Sequence, residues 1–143
     1  ATAGRADDEL FTIAKGMRAT PDTPVDEYVQ AEQAAERLRD GFADYFQRYD
    51  ALVCPVLPIP AHEHGAREFV INGQTVDATY IQGVTVPFNV TGLPALSMRF
   101  GTSGDGLPIN VQVVSSWQAE STILHLASLL EAASPVRDLH PDI

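Results

Sequence analysis

The chain has 143 residues, which fits one domain able to bury roughly 70% of its unfolded surface. Its 19 Asp and Glu against 9 Lys and Arg give a formal charge of −10, which argues against nucleic acid and anionic membrane surfaces as partners. No apolar run approaches the ~20 residues of a membrane span. The single cysteine, Cys54, excludes an internal disulfide and fits a reducing, cytoplasmic location. The N-terminus, ATAGRADDEL, is polar and acidic, with no signal-peptide pattern and no initiator Met. The sequence therefore reads as a fragment or a mature product.

Ala1 to Asp8 reads as mobile. Leu10, Ile13, Ala14 and Met17 have helical spacing, which predicts a short amphipathic helix over Glu9 to Met17. Thr23-Pro24-Val25-Asp26 is a helix start, with Thr23 as cap and Pro24 in the first helical position. The long helix that follows runs from Pro24 to Arg48. Leu38, Phe42, Tyr45, Phe46 and Tyr49 form one apolar stripe along it. Gly41 in mid-helix costs up to about 1 kcal/mol relative to alanine.

Ala51 to Leu57 reads as a short buried strand, and Pro55 within it suggests an edge position or the strand's end. Pro58 and Pro60 stiffen the exit. Asn72-Gly73 lies between two β-prone triplets, a small hairpin signal. Tyr80 to Val86 reads as a helical turn or two, stopped at Pro87. Pro94 to Phe100 and Leu107 to Val114 are apolar and flank Asp105-Gly106, a strong hairpin signal. Val111 and Val113 alternate with Gln112, while Val114 breaks the alternation, so this strand is covered on both faces. The last helix runs from Ala119 to Ala133, with Ser116 as cap. Its apolar face is Ile123, Leu126, Ala127 and Leu130. Ser134-Pro135 ends it, and Val136 to Ile143 is a tail. Strands alternating with helices predict an α/β fold, with helices flanking a few strands of a mixed sheet.

Two stretches carry a resemblance. PFNVTGLPALSMRFG followed by DGLPINVQVV is similar to the C-terminal part of the amidase-signature hydrolases. Their phrase FN-x-x-G-x-P-A appears here as Phe88, Asn89, Gly92, Pro94 and Ala95. Their G-L-P-x-x-x-Q strand appears as Gly106, Leu107, Pro108 and Gln112, and an E-x-x-L-L-x-x-A type helix follows within Ser121 to Ala132. Upstream, YDALVCPVLPIPA (Tyr49 to Ala61) resembles the family's Y-D-x-x-x-x-P strand. The matches cover roughly the last two-thirds of the chain, in the family's order. Asn110 departs from the pattern, which usually has glycine or another small residue there.

The resemblance implies that residues 1–143 are the C-terminal portion of one α/β/α amidase-signature domain with a many-stranded mixed sheet. It also implies hydrolysis of carboxamide C–N bonds by a Lys–Ser–Ser arrangement. A Lys deprotonates a bridging cis-Ser, which activates the nucleophilic Ser. In the family those residues lie N-terminal to the phrases matched here, in a Gly- and Ser-rich stretch and a preceding Lys. No such stretch exists in this sequence, and Lys15, its only lysine, sits on a predicted helix without a Ser-rich partner. The chain is thus expected to hold no catalytic residue, no metal and no cofactor. Its expected partners are the missing N-terminal amidase part or chain and a small-molecule amide, with homo-oligomerisation left open.

Other constellations are weaker. Gly101 to Gly106 leads into a strand rather than a helix, unlike a phosphate loop. His62 and His64 could form half of a metal site, but no third ligand has usable spacing. Cys54 in a Val-Cys-Pro strand reads as packing, not as a nucleophile. Ser97 lacks a G-x-S-x-G elbow. His125 reads as surface or half-buried packing, and Trp117 and Gln112 as packing and sheet capping. Asn89 reads as tying down the turn before Gly92. In the resembled family the stretches after Leu57 and before Phe88 border the acyl pocket. Ile59, Ile81, Thr85 and Phe88 are therefore candidates to line a pocket for an apolar acyl or aryl group, with ordinary core packing as the alternative reading. Three functions follow: the C-terminal segment of an amidase, a free-standing non-catalytic binding or scaffold domain, or the A-subunit of a tRNA-dependent amidotransferase.

Overall fold

The computed structural model describes residues 12–139. Ala1 to Asp8 and the end of the tail, from His140 on, lie outside them. The chain divides into two units, Ala1–Ala34 and Ala35–Ile143.

The first unit holds α1 (Thr12–Ala19) and the start of α2 (Val25–Phe46). The expected beginning of α1 at Glu9 lies outside the described residues, and the helix runs on to Ala19. The Thr20 hydroxyl closes its last turn on the Gly16 carbonyl at 2.9 Å. α2 begins one residue later than its sequence suggests. Pro24 is not the first helical residue but supplies the first acceptor, taking a bond from the Tyr28 amide at 3.1 Å. Asp26 and Glu27 in its first turn complement the exposed amides there.

The second unit is built on a three-stranded antiparallel sheet. β1 (Leu52–Pro55), β4 (Ala95–Thr102) and β5 (Pro108–Val114) lie in the order β1-β5-β4. β5 is central, pairing Val114 with both Leu52 and Ala95. Val113 and Val114 point to opposite faces and are both fully buried, so β5 is covered on both sides as its sequence predicts. On one face, Phe88, Leu93 and Val114 form a core against Phe42, Phe46, Leu52 and Cys54. The Phe42 ring lies 5.6 Å from that of Phe88. α5 (Glu120–Ala133) packs on β4 and β5 through Ile123 and Ala127.

β1 differs from the buried strand expected over Ala51 to Leu57. It is shorter and alternates in burial, and Val53 is 48% exposed. The reason is its place at the sheet edge: β5 is its one strand partner among the described residues. Pro55 ends it, where a missing amide costs no ladder bond.

The β4–β5 connection is a hairpin as expected. Ser103 ties it together, donating its amide to Leu107 O at 2.8 Å and accepting the Leu107 amide on its hydroxyl at 3.1 Å. Gly106 supplies the positive φ, and a bulge between Arg99 and Gly101 bends β4. The second hairpin, β2 (Glu68–Ile71) and β3 (Gln74–Asp77), turns at Asn72-Gly73. Asp77 then caps α3 (Ala78–Gln82) by accepting the Tyr80 amide at 2.9 Å.

Pro87 does not stop a helix. It sits in the first turn of α4 (Val86–Thr91), where the first amides have no intrahelical acceptor and its ring fixes a helical φ. Gly92, at φ 71°, ends α4 in the left-handed conformation, and its amide bonds Phe88 O. The side-chain bond that ties this turn belongs to Thr91, whose hydroxyl donates to Pro87 O at 2.8 Å, rather than to Asn89. Ser116 likewise does not cap α5. Ala119 holds the cap position without a side-chain bond, because Gln118 adopts a positive φ of 64° between Ser116 and the helix.

Gly92→Ala should destabilise the fold by about 1–2 kcal/mol, since a Cβ disfavours the left-handed region. Urea denaturation measures it directly.

Candidate functional site

The antiparallel pairing of β1 with β5 sets Pro55 opposite Val111. The end of β1 therefore meets the start of β5. Beyond that point the Val56 amide makes a last long bond to Asn110 O at 3.5 Å, and the chain turns away through Pro58 and Pro60. A groove of about 370 Å³ opens there. Val56 to Ala61 form one wall, and Pro108 to Asn110 form the other. Its size is that of a small-molecule pocket, and its lining is apolar except for Asn110. The prolines hold the first wall in place, because each ring fixes one backbone torsion.

Gln112 holds this end of the sheet together. Its residue is only 4% exposed. Its side-chain amide nitrogen donates to Pro55 O at 2.9 Å and to Val84 O at 3.2 Å. One side chain thus fixes the root of the first wall and the turn between α3 and α4. These bonds satisfy the buried amide nitrogen, which explains how a polar residue is tolerated on a central strand. Trp117 makes a similar tie, donating from Nε1 to Thr91 O at 2.9 Å.

The four candidate pocket residues separate. Ile59 lines the groove. Ile81, 3% exposed, is buried in α3. Phe88, 6% exposed, belongs to the core beneath α4. Thr85 precedes α4 and donates its hydroxyl to Gln82 O at 3.1 Å, one residue from the carbonyl that Gln112 holds. The second wall, Pro108 to Asn110, is not evident from sequence. Only the strand register reveals that these residues face Val56 to Ala61.

The other polar residues offer little chemistry. Lys15 is exposed on α1. His62 stands over Phe69 with ring centroids 4.7 Å apart, and no cluster of three His, Cys, Asp or Glu is placed to hold a metal among the described residues. Ser97, on β4, accepts a bond from the Asn110 amide at 3.2 Å. His125 is exposed on α5. Cys54 packs against the core, and burial pushes its thiol up, partly offset by a side-chain hydrogen bond with Gln112. No helix among the described residues is long and apolar enough to cross a membrane.

The Amidase family model matches residues 6–124. The chain belongs to the Amidase family. Its Amidase relatives include the glutamyl-tRNA(Gln) amidotransferase A-subunit of Thermosynechococcus vestitus, 30% identical over 81% of this chain. The protein of the same name from Prochlorococcus marinus strain MIT 9313 is 36% identical over 80%. The chain spans 23% of the length of each. Among solved structures it is similar to 6-aminohexanoate cyclic dimer hydrolase complexed with substrate, with a TM-score of 0.75 and 26% identity. That match covers 96% of this chain and 31% of the other. It is also similar to a bacterial aryl acylamidase of the amidase-signature enzymes, with a TM-score of 0.73 and 25% identity over 94% of this chain and 28% of the other. The α/β fold is therefore the amidase-signature fold.

Gln112→Leu should destabilise the chain by about 1–3 kcal/mol, because it leaves two carbonyls without their donor. Urea denaturation reads that loss. Amide exchange should quicken in residues 55–61 and 82–86 before it does in α5. The raised Cys54 pKa means that the fold favours the protonated thiol. This contribution is complete below the thiol's unfolded pKa and is lost as pH rises through the folded value. Alkylation of native Cys54 by iodoacetamide should accordingly be slower at each pH than that of the urea-unfolded chain, with its rate rising at higher pH.

Proposed function

We propose that this chain is the C-terminal portion of an amidase that hydrolyses carboxamide C–N bonds, and that it supplies sheet strands and one wall of the substrate pocket. The observation that carries this is the proline-framed apolar groove at the sheet end, in a chain of the Amidase family. The nucleophilic Ser, the bridging cis-Ser and the Lys of the family's mechanism belong to another part of the enzyme. Its contribution is positional: a firm wall helps hold the acyl or aryl group of the amide so that the carbonyl meets the nucleophile.

Ile59 is the pocket residue that contacts this group. Ile81 and Phe88 support the wall from within the fold, and Thr85 shapes the turn beside it. The relatives named as amidotransferase A-subunits favour a second reading, in which the chain is part of such a protein. The groove weighs toward the first. A glutamine substrate carries an ammonium and a carboxylate, and no ionisable side chain lines the groove to meet them.

In the complete enzyme, Ile59→Trp should fill the groove and raise KM for benzamide about ten-fold, the equivalent of ~1.4 kcal/mol of lost binding, while acetamide turnover is little affected. Phe88→Ala should lower stability by about 3–5 kcal/mol and alter selectivity less than Ile59→Trp does. Steady-state kinetics on the two amides, with a denaturation curve for each variant, checks both. Equal effects of Ile59→Trp on both amides would contradict the pocket assignment. Release of ammonia from glutamine but from neither amide would favour the amidotransferase reading.

A further inference from the structure

The groove contains one side chain able to form hydrogen bonds. Asn110 stands at its second wall, opposite the stretch that carries Ile59. Its position on β5 follows from the register, which pairs it with Arg99 on β4 and places it two residues before Gln112 on the same face. The Asn110 amide nitrogen donates to the Ser97 hydroxyl at 3.2 Å. That bond orients the side chain. Its carbonyl oxygen, Oδ1, has no protein donor among the described residues. The remaining lining, Val56 to Ala61 with Pro108 and Ile109, consists of apolar side chains.

We infer that Asn110 is a specificity-determining residue, and that the groove prefers a neutral aryl or alkyl amide bearing a hydroxyl or N–H donor over the same amide without it. This rests on the reading of the groove as a substrate wall. The lack of ionisable lining disfavours a charged group, which would lose hydration without gaining a partner. The volume admits a single substituted ring. Within it, a donor on the ligand meets the acceptor of Asn110, while a ligand lacking one leaves that acceptor covered and unpaired. Sites built around a hydrogen bond discriminate in this way against analogues that cannot form it.

The test is binding of two probes, benzamide and 4-hydroxybenzamide, to the complete enzyme that carries the isotopically labelled chain, by NMR titration. For the original chain, 4-hydroxybenzamide should bind about five-fold more tightly, the ratio of one ordinary neutral hydrogen bond. The shifted amides should fall within residues 56–61 and 108–110. Asn110→Leu, of similar volume, and Asn110→Ala should each bring the ratio close to one. The spectrum of each variant establishes that it is folded, and because Asn110 is exposed at least one of them is expected to remain so. Equal binding of the two probes to the original chain, or a preference that survives in the folded variants, would overturn the role of Asn110 and leave the groove standing. Binding of neither probe would overturn both this inference and the pocket wall on which it rests.

Discussion

A buried amide joins three parts of this fold that are far apart in sequence. Gln112 lies on the central strand, and its side chain holds the end of β1 and the turn between α3 and α4. Burying a polar side chain is unfavourable unless its hydrogen bonds are satisfied. Here the bonds that satisfy it also place the groove. The walls depend on where β1 ends, and β1 ends where Gln112 grips Pro55. The same side chain bears on Cys54, so the packing of the core and the shape of the groove share one residue.

Around that contact the sheet is asymmetric. β5 is enclosed on both faces, whereas β1 at the edge leaves Val53 half exposed. α5 is apolar around much of its circumference, and Leu124 and Leu129 stand 59% and 55% exposed on it. Apolar side chains of this size stabilise a protein by roughly 1.5–3 kcal/mol each when fully buried. The exposed edge and the apolar helix are what a part of a larger α/β domain would present. They accord with a chain that spans 23% of the length of its curated relatives.

Much of this architecture was legible in the sequence where local chemistry decides. Asn72-Gly73 and Gly106 mark their turns, because few other residues take a positive φ readily. Phe42 and Phe46 share a helical face and meet the core together. The sequence misled where one residue supports two structures. Pro87 can end a helix or begin one, and its role depends on Phe88 and Thr91 being drawn into α4. Ser116 resembles a cap, but the turn at Gln118 separates it from α5. Asn89 and Thr91 are both able to tie the turn at Gly92, and only the helix geometry selects Thr91. The groove was half legible. Ile59 stands out beside its prolines, but Asn110 and Ile109 join it only through the register of two strands more than fifty residues apart.

The central claim is that this chain works as part of an amidase whose hydrolytic centre lies in another part of the enzyme. The most direct measurement is the native mass of the species that carries this sequence in its own cells, followed by an assay of that species for ammonia or amine release. The account predicts a polypeptide or complex well above the 15.5 kDa of this chain, active on neutral carboxamides. A monodisperse 15.5 kDa monomer, with no partner and no amide hydrolysis, would contradict it and would instead mark a free-standing scaffold built from the same fold.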